Sequence, residues 1–229
     1  MSFFGRISNI FVAPDKCFIS LRDEGTKWTD YVIPILLLTV MIIIFMATTA
    51  DMMKDIQVDA IMKMEQFSEA QKEAMLEQSS SGIVQSIQYV SGVISTIFTA
   101  IITALIMMIL GNFVGGGQQK YGVLLASALY IQLITIPESI IKIFLILQKE
   151  SMNVYLGLAS FISSPDQTNF FHNLIGQFEF FKIWRIVLWV LAFKILYKFT
   201  GKKSGWLVVV IMLIGMLLAA AVATFQGKM

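Results

Sequence analysis

The chain has 229 residues, of which 57% are hydrophobic and 14% charged, with a net charge of +2 and a mean hydropathy of +0.76. Soluble domains average roughly 45–50% apolar and 25% charged residues, so this composition is that of a membrane protein. The small net charge gives no basis for nucleic-acid binding, and the single cysteine, Cys17, excludes an intrachain disulfide and any cysteine-based metal cluster.

Residues 1–27 place Phe3, Phe4, Ile7, Ile10 and Phe11 at near-helical spacing around Arg6, with Lys16, Arg22 and Lys27 nearby. Two arrangements fit this segment: an amphipathic helix lying in the cytoplasmic membrane interface, or a helix packed on its own bundle. Its apolar stretch is too short for a signal peptide and reaches Pro14-Asp15 before any span, so the first hydrophobic helix is expected to direct insertion. That first span, residues 31–50, has no charge and follows Trp28 and Tyr31 as interfacial anchors. Pro34 is expected in its first turn, where a missing N–H costs little.

Residues 51–81 change character. Asp51, Asp55, Asp59, Glu65, Glu69, Glu73 and Glu77 alternate with a partial apolar stripe of Met53, Ile56, Ala60, Met64 and Phe67, ending at Ser79-Ser80-Ser81-Gly82. This predicts one extramembrane amphipathic helix whose carboxylates form either a solvated acidic face or a surface for cations or a basic partner. No calcium-loop spacing is present. The second span, residues 83–114, opens with Gln85, Ser86 and Gln88 and so stands proud of the membrane. Gly111 and Gly115 form a GxxxG pair at its far end, the spacing that lets helix backbones approach closely.

Gly115-Gly116-Gly117 then turns the chain into a third span, residues 121–147, giving an antiparallel hairpin. The GGGQQK run lacks the spacing of a phosphate loop and follows an apolar helix, so no nucleotide site is expected. Pro137 and Glu138 interrupt the third span. Both are tolerated in hydrocarbon only where other groups satisfy what they leave unpaired, so this helix should face protein. Lys142 follows Glu138 by four residues, the favourable orientation for a helix ion pair, and Tyr130 and Gln132 add polar groups deeper in. The set reads as a structural pair beside a proline kink or as a proton or ion relay.

Residues 148–178 form a more polar connection with apolar patches at Val154–Ile162 and at Phe170, Phe171, Leu174 and Phe178, suggesting short helices on the membrane surface. The lone histidine, His172, lies among these aromatics without a ligand cluster, so no metal site is expected. The fourth span, residues 180–197, carries Lys182 and Arg185 near one end and Lys194 and Lys198 near the other. The uncharged stretch between Arg185 and Lys194 is about 12 Å long at a helical rise of 1.5 Å, so both ends must snorkel or face a polar interior. The fifth span, residues 205–224, presents Gly215, Ala219 and Ala223 four apart, a small-residue stripe for tight helix contact.

With five spans, Arg6, Lys16, Arg22, Lys27, Lys120, Lys198, Lys202 and Lys203 share one side, against Lys54, Lys63, Lys72, Lys149 and Lys228 on the other. The bias puts the amino terminus in the cytoplasm and the carboxyl terminus and acidic helix outside it.

Three groups of residues carry a family resemblance. Before the first span stands Phe11-Val12-Ala13-Pro14-Asp15-Lys16-Cys17-Phe18, an aromatic-x-x-proline opening. The central hairpin has its glycine turn with Tyr121, Tyr130 and Pro137. Phe178-Glu179-Phe180-Phe181-Lys182-Ile183-Trp184, the fourth span, Gly201-Lys202-Lys203 and a last apolar helix complete the pattern. Together they resemble the Yip family, the Ypt-interacting-protein type of five-span membrane protein. The resemblance implies a five-helix domain, residues 28–229, with a cytosolic amino terminus. Eukaryotic members act in membrane traffic with small GTPases, but this chain lacks their acidic-Leu-Tyr-Gly-Pro signature and long amino-terminal tail, so GTPase binding does not carry over. Its shortness resembles prokaryotic members, which implies a bacterial cytoplasmic (inner) membrane.

The sequence therefore predicts an all-α polytopic bundle of five spans plus one extramembrane amphipathic helix. No convergent nucleophile–base or metal set is evident, so a non-enzymatic protein without cofactor is expected. Its expected partners are the lipid bilayer and a membrane protein or a second copy of itself, which would make it an accessory or scaffold subunit. The rival expectation is a transporter or channel for lipid, ion or small solute using the Pro137, Glu138 and Lys142 region, with Arg185 and Lys194 also at membrane depth.

Overall fold

The computed structural model describes residues 1–79, 81–162 and 168–227; Ser80 and Lys228 fall outside them. The regular elements among the described residues are helices, joined by a single isolated bridge between Gly157 and Glu179. Four of them are long and apolar enough to cross a bilayer: Thr29–Thr48, Gly82–Val114, Tyr121–Lys149 and Gly201–Gln226. The chain is an all-α helical membrane bundle.

The amino-terminal segment forms two helices, α1 (Phe3–Val12) and α2 (Pro14–Asp23). Ser2 caps α1 by accepting from the Gly5 N–H at 3.2 Å. Pro14 ends α1, because the residue before a proline is pushed out of helical geometry, and then opens α2 from its first position. The pair packs on its own bundle. Ile10, Cys17, Phe18 and Leu21 are fully buried, each apolar side chain of that size contributing roughly 1.5–3 kcal/mol relative to exposure to water.

Beneath the hairpin lies a charge cluster. Arg6, 2% exposed, donates from Nη1 to Asp30 Oδ2 at 2.7 Å, from Nε to Ser20 Oγ at 2.9 Å and from Nη2 to the Ser20 carbonyl at 3.2 Å. Asp30, 1% exposed, also accepts from the Tyr130 hydroxyl at 2.7 Å and from the Lys27 N–H at 2.7 Å. The Met1 ammonium pairs with Glu24, which in turn accepts from Ser20 Oγ at 3.2 Å.

The first long helix, α3 (Thr29–Thr48), starts two residues earlier than predicted. Pro34 therefore sits inside it, one turn beyond Asp30, and not in its first turn. The expected single acidic helix is instead two: α4 (Ala50–Met62), continuing from α3 through Thr49, and α5 (Glu69–Ser79). Residues 63–68 between them form turns and a bend, Ser68 Oγ accepts from the Gln71 N–H at 3.4 Å to start a new helix, and α5 buries no residue. Next come α6 (Gly82–Met108), capped by Ser81, and a π-helical turn at Ile109–Val114. The expected third span is two helices, α7 (Tyr121–Gln132) and α8 (Thr135–Lys149). Pro137 cannot donate to Leu133, and its ring crowds that carbonyl. The Leu133 carbonyl accepts instead from the Ile136 N–H at 2.9 Å, part of a tight 3-10-type turn in which Leu133 and Ile134 keep right-handed helical dihedrals, so α7 and α8 together make up the span Tyr121–Lys149.

A short 3-10 turn at Leu158–Phe161 and α9 (Phe170–Ile175) lie in the connection to α10 (Phe180–Leu196). At 17 residues α10 is shorter than the four candidate spans. It nevertheless runs alongside the bundle from one end to the other: its first turns meet α8, and near its last turn the Ile195 carbonyl accepts from Arg22 of α2 at 3.1 Å. The last helix, α11 (Gly201–Gln226), packs on α10 and α9.

Removing one partner of a buried ion pair strands the other charge, at a cost of roughly 3–5 kcal/mol. Arg6→Met should therefore lower stability by about that amount, and the double variant Arg6→Met/Asp30→Leu by clearly less, as read by thermal unfolding in mild detergent. Burial also pushes the Cys17 thiol up to about 12, against a smaller opposing pull from Arg6. At pH 8 it is then protonated as well as enclosed, so a maleimide should label Cys17 only after denaturation, and rapid labelling of the folded protein would contradict the packing of α2.

Candidate functional site

The charged side chains of α8 and α10 converge at the end of the bundle remote from the amino-terminal hairpin. Glu138, in the first turn of α8 just after Pro137, is buried at 6% exposure. Lys142, one turn later on the same face, donates to Glu138 Oε1 at 2.9 Å. Arg185, reaching from the second turn of α10, brings Nη2 to 2.9 Å from Glu138 Oε2. That contact is an ion pair at close range with no N–H aimed along the oxygen's lone pair. Arg185 Nη1 meanwhile donates to Thr135 Oγ1 at 3.0 Å.

Glu179 completes the cluster. It stands at the amino-terminal end of α10, where the helix dipole favours an anion, and the backbone on either side is tied to residues 156–158. It accepts from Lys142 at 3.3 Å and lies 3.7 Å from Lys182, whose ammonium also donates to Gln177 Oε1 at 3.1 Å. Glu138, Lys142, Glu179, Lys182 and Arg185 thus form one chain of alternating charge between two helices.

This cluster borders a cavity of about 650 Å³, inside the range of roughly 300–1,000 Å³ usual for a small-ligand site. Leu38, Met41 and Phe45 of α3, Trp189 of α10 and Met212 and Met216 of α11 give it apolar walls. From α6 it receives Ser95, Thr96, Thr99 and Thr103. Thr96 and Thr99 donate their hydroxyl protons to carbonyls four residues back, at 3.0 and 2.8 Å, so their oxygens keep only acceptor capacity. Gln132 lines the cavity too, with its Oε1 buried and unpaired. Among the described residues no three His, Cys, Asp or Glu side chains converge as metal ligands, so the chemistry of this cavity is that of its ion-paired cluster.

The structure brings Gln132, Glu138, Lys142 and Arg185 together, with Gly215 on the opposite wall. It separates the other candidates. Tyr130 points to Asp30 in the amino-terminal cluster, Lys194 is exposed, and Pro137 lies in the first turn of α8, after the tight turn that divides α7 from α8.

The GxxxG pair packs on aromatic rings of its own chain instead of on a neighbouring helix backbone. A Cβ added at Gly111 would fall 2.1 Å from the Tyr197 ring, and one at Gly115 would fall 2.8 Å from Phe199. Lys203 closes the same knot by donating to the Gly115 carbonyl at 2.6 Å while its ammonium lies 4.2 Å from the centre of the Phe199 ring. The Asn112 side-chain amide grips the Gln119 backbone across the turn, donating to its carbonyl and accepting from its N–H, each at 3.0 Å. In contrast, a Cβ at Gly215 would meet nothing within 4 Å, and Ala219 is exposed with Ala223 half-buried.

Sequence reading missed Glu179, Lys182 and Asp30 as members of these clusters. The spacing of Glu179 and Lys182, three apart across a helix start, was available as a signal, and so was the position of Arg6 on the face shared with Ile10 and Phe3. Nothing in the order of residues, however, pairs Arg6 with Asp30 or Glu138 with Arg185.

Compared with known proteins, the chain matches the family model described as the Yip1 domain over residues 8–223. No curated protein matches it, and no solved structure does.

The two glycine sites should respond oppositely to one methyl group. Gly111→Ala should destabilise the folded protein, because the Tyr197 ring it meets is held by Phe193 and Phe199 at centroid distances of 5.1 Å. Gly215→Ala should leave the melting temperature in detergent unchanged. A Gly111→Ala protein as stable as the parent would show that the ring can move aside.

Proposed function

The chain belongs to the Yip family, being matched by its domain model over residues 8–223, and from that premise we propose a non-enzymatic integral membrane protein that takes a small amphipathic molecule into its cavity and passes it between bilayer and water. The observation supporting this is the cavity itself. It lies among helices long enough to span the membrane and has apolar walls, yet it is also lined by Glu138, Lys142, Lys182 and Arg185, with Glu179 ion-paired to both lysines. Ionisable groups at membrane depth that face a cavity are the usual mark of a translocation or binding path. The ion-pair chain supplies exchangeable partners, because Glu138 is shared by two cations and Lys142 by two carboxylates. A ligand charge can replace one of them without leaving any group bare.

In this reading α10 is a fifth crossing. Its 17 residues reach about 25 Å at 1.5 Å per residue, and Lys182 and Arg185 are accommodated by the cluster instead of by lipid. The amino terminus is then cytoplasmic, the cavity's charged end extracytoplasmic, and the membrane the bacterial inner membrane. A second reading, an accessory or scaffold subunit, is supported by the open stripe of Gly215, Ala219 and Ala223 on α11. A partner helix, from another protein or a second copy, would find close approach there.

Reconstituted into vesicles with fluorescent phosphatidylglycerol or phosphatidylcholine, the protein should speed lipid movement between leaflets over protein-free vesicles. Glu138→Gln should slow it at least tenfold while the folded state, checked by circular dichroism and elution volume, is kept. Movement no faster than in empty vesicles would remove the transport reading and leave the subunit reading.

A further inference from the structure

The charged end of the cavity is not neutral. Lys142, Lys182 and Arg185 face two carboxylates, Glu138 and Glu179, an excess of one positive charge. The carboxylates are also the more enclosed of the two signs: their side chains are each 8% exposed, whereas Lys142, Arg185 and Lys182 are 23%, 24% and 33% exposed. All three cations line the cavity together with Glu138.

Among the described residues Lys182 is the least satisfied of the three, with one carboxylate in ion-pair range, at 3.7 Å, and a neutral amide as its hydrogen-bond partner. An unbalanced cation in a low-dielectric pocket attracts a counter-charge far more strongly than one in water. The apolar walls include Leu38 and three methionines, Met41, Met212 and Met216, whose flexible thioethers accommodate chains of varied shape.

We propose that the ligand of this cavity is an amphiphile bearing a single negative charge, its anionic head held by Lys182 and Arg185 and its hydrocarbon tail lying against the methionine wall of α3 and α11. This deepens the preceding reading by naming the class of molecule bound. It is separable from that reading because binding is measured here without any transport step. Trp189, 3% exposed and on the cavity wall, is a built-in reporter.

The test uses a variant that keeps Trp189 alone (Trp28→Phe, Trp184→Phe, Trp206→Phe), placed in phosphatidylcholine nanodiscs. Brominated-tail phosphatidylglycerol is titrated in, with brominated phosphatidylcholine as the neutral comparison and inorganic phosphate as the tail-less anion. The expected result is saturable quenching by the anionic lipid at concentrations at least tenfold below those needed for the neutral one. Lys182→Gln should abolish that preference, Lys182→Arg should restore it, and Lys194→Gln, exposed on the same helix, should leave it intact. Equal quenching by both lipids, or a preference that survives Lys182→Gln, overturns the proposal. Displacement of the brominated lipid by inorganic phosphate at comparable concentration also overturns it, since the site would then hold a free anion and not an amphiphile. If the preference holds while vesicles show no lipid movement, the ligand class stands and only the transport reading falls.

Discussion

A carboxylate between membrane helices must be matched, and the burial of Glu138 is the constraint around which the charged end of this bundle is arranged. Hydrocarbon offers a charge nothing, so its partners have to be brought by the fold. Here they come from one turn along α8, as Lys142, and from across the interface, as Arg185 on α10. Satisfying Glu138 brings two cations between the helices, and Lys142 in turn pairs with Glu179, held at the amino-terminal end of α10. The result is a chain of ion pairs in which each pair makes its neighbour tolerable. Such chains seldom add net stability over an apolar core, although breaking them is costly. Their presence where Leu or Phe would pack more cheaply is a reason to look for function there.

The tight turn before Pro137 belongs to the same span. On its two sides Tyr130 meets Asp30 beside the amino-terminal hairpin and Glu138 meets Arg185 of α10. One element thereby contributes to two buried charge clusters at opposite ends of the bundle. The helix α10 is the strut between them, bonded to α8 by its first turns and to α2 by its last. The cavity lies in the half where α11 leans on α10 and α9, and Gly215 leaves the wall of α11 open.

Glycine carries opposite meanings in two places that share one sequence signature. Gly111 and Gly115 have the spacing of a helix-dimer contact, yet they receive the rings of Tyr197 and Phe199 and serve to lock the α6–α7 turn against the α10–α11 turn. Gly215, with the same small-residue pattern around it, receives nothing from its own chain. A spacing rule states only that a backbone can be approached closely, and what approaches it depends on which elements are neighbours.

Composition and hydropathy alone determined that this is a helical membrane protein, because the bilayer demands long apolar helices whatever their order in space, and the short residue patterns around Pro14, Pro137 and Trp184 carried its family. The glycine turn after the second span, the ion-pair partnership of Glu138 with Lys142 and the interruption at Pro137 were legible for the same reason: each depends on residues a few positions apart. What tertiary structure decided was every pairing across helices. Arg6 reads in sequence as a charge on a helix that lies in the interface or packs on the bundle, and the structure buries it against Asp30, 24 residues away. Arg185 reads as a residue that snorkels or faces a polar interior, and helix packing gives it Glu138 as partner. Local pattern fixes which face of a helix is apolar and where the chain must turn. The partner of a buried charge is chosen by helix packing, which no periodicity records.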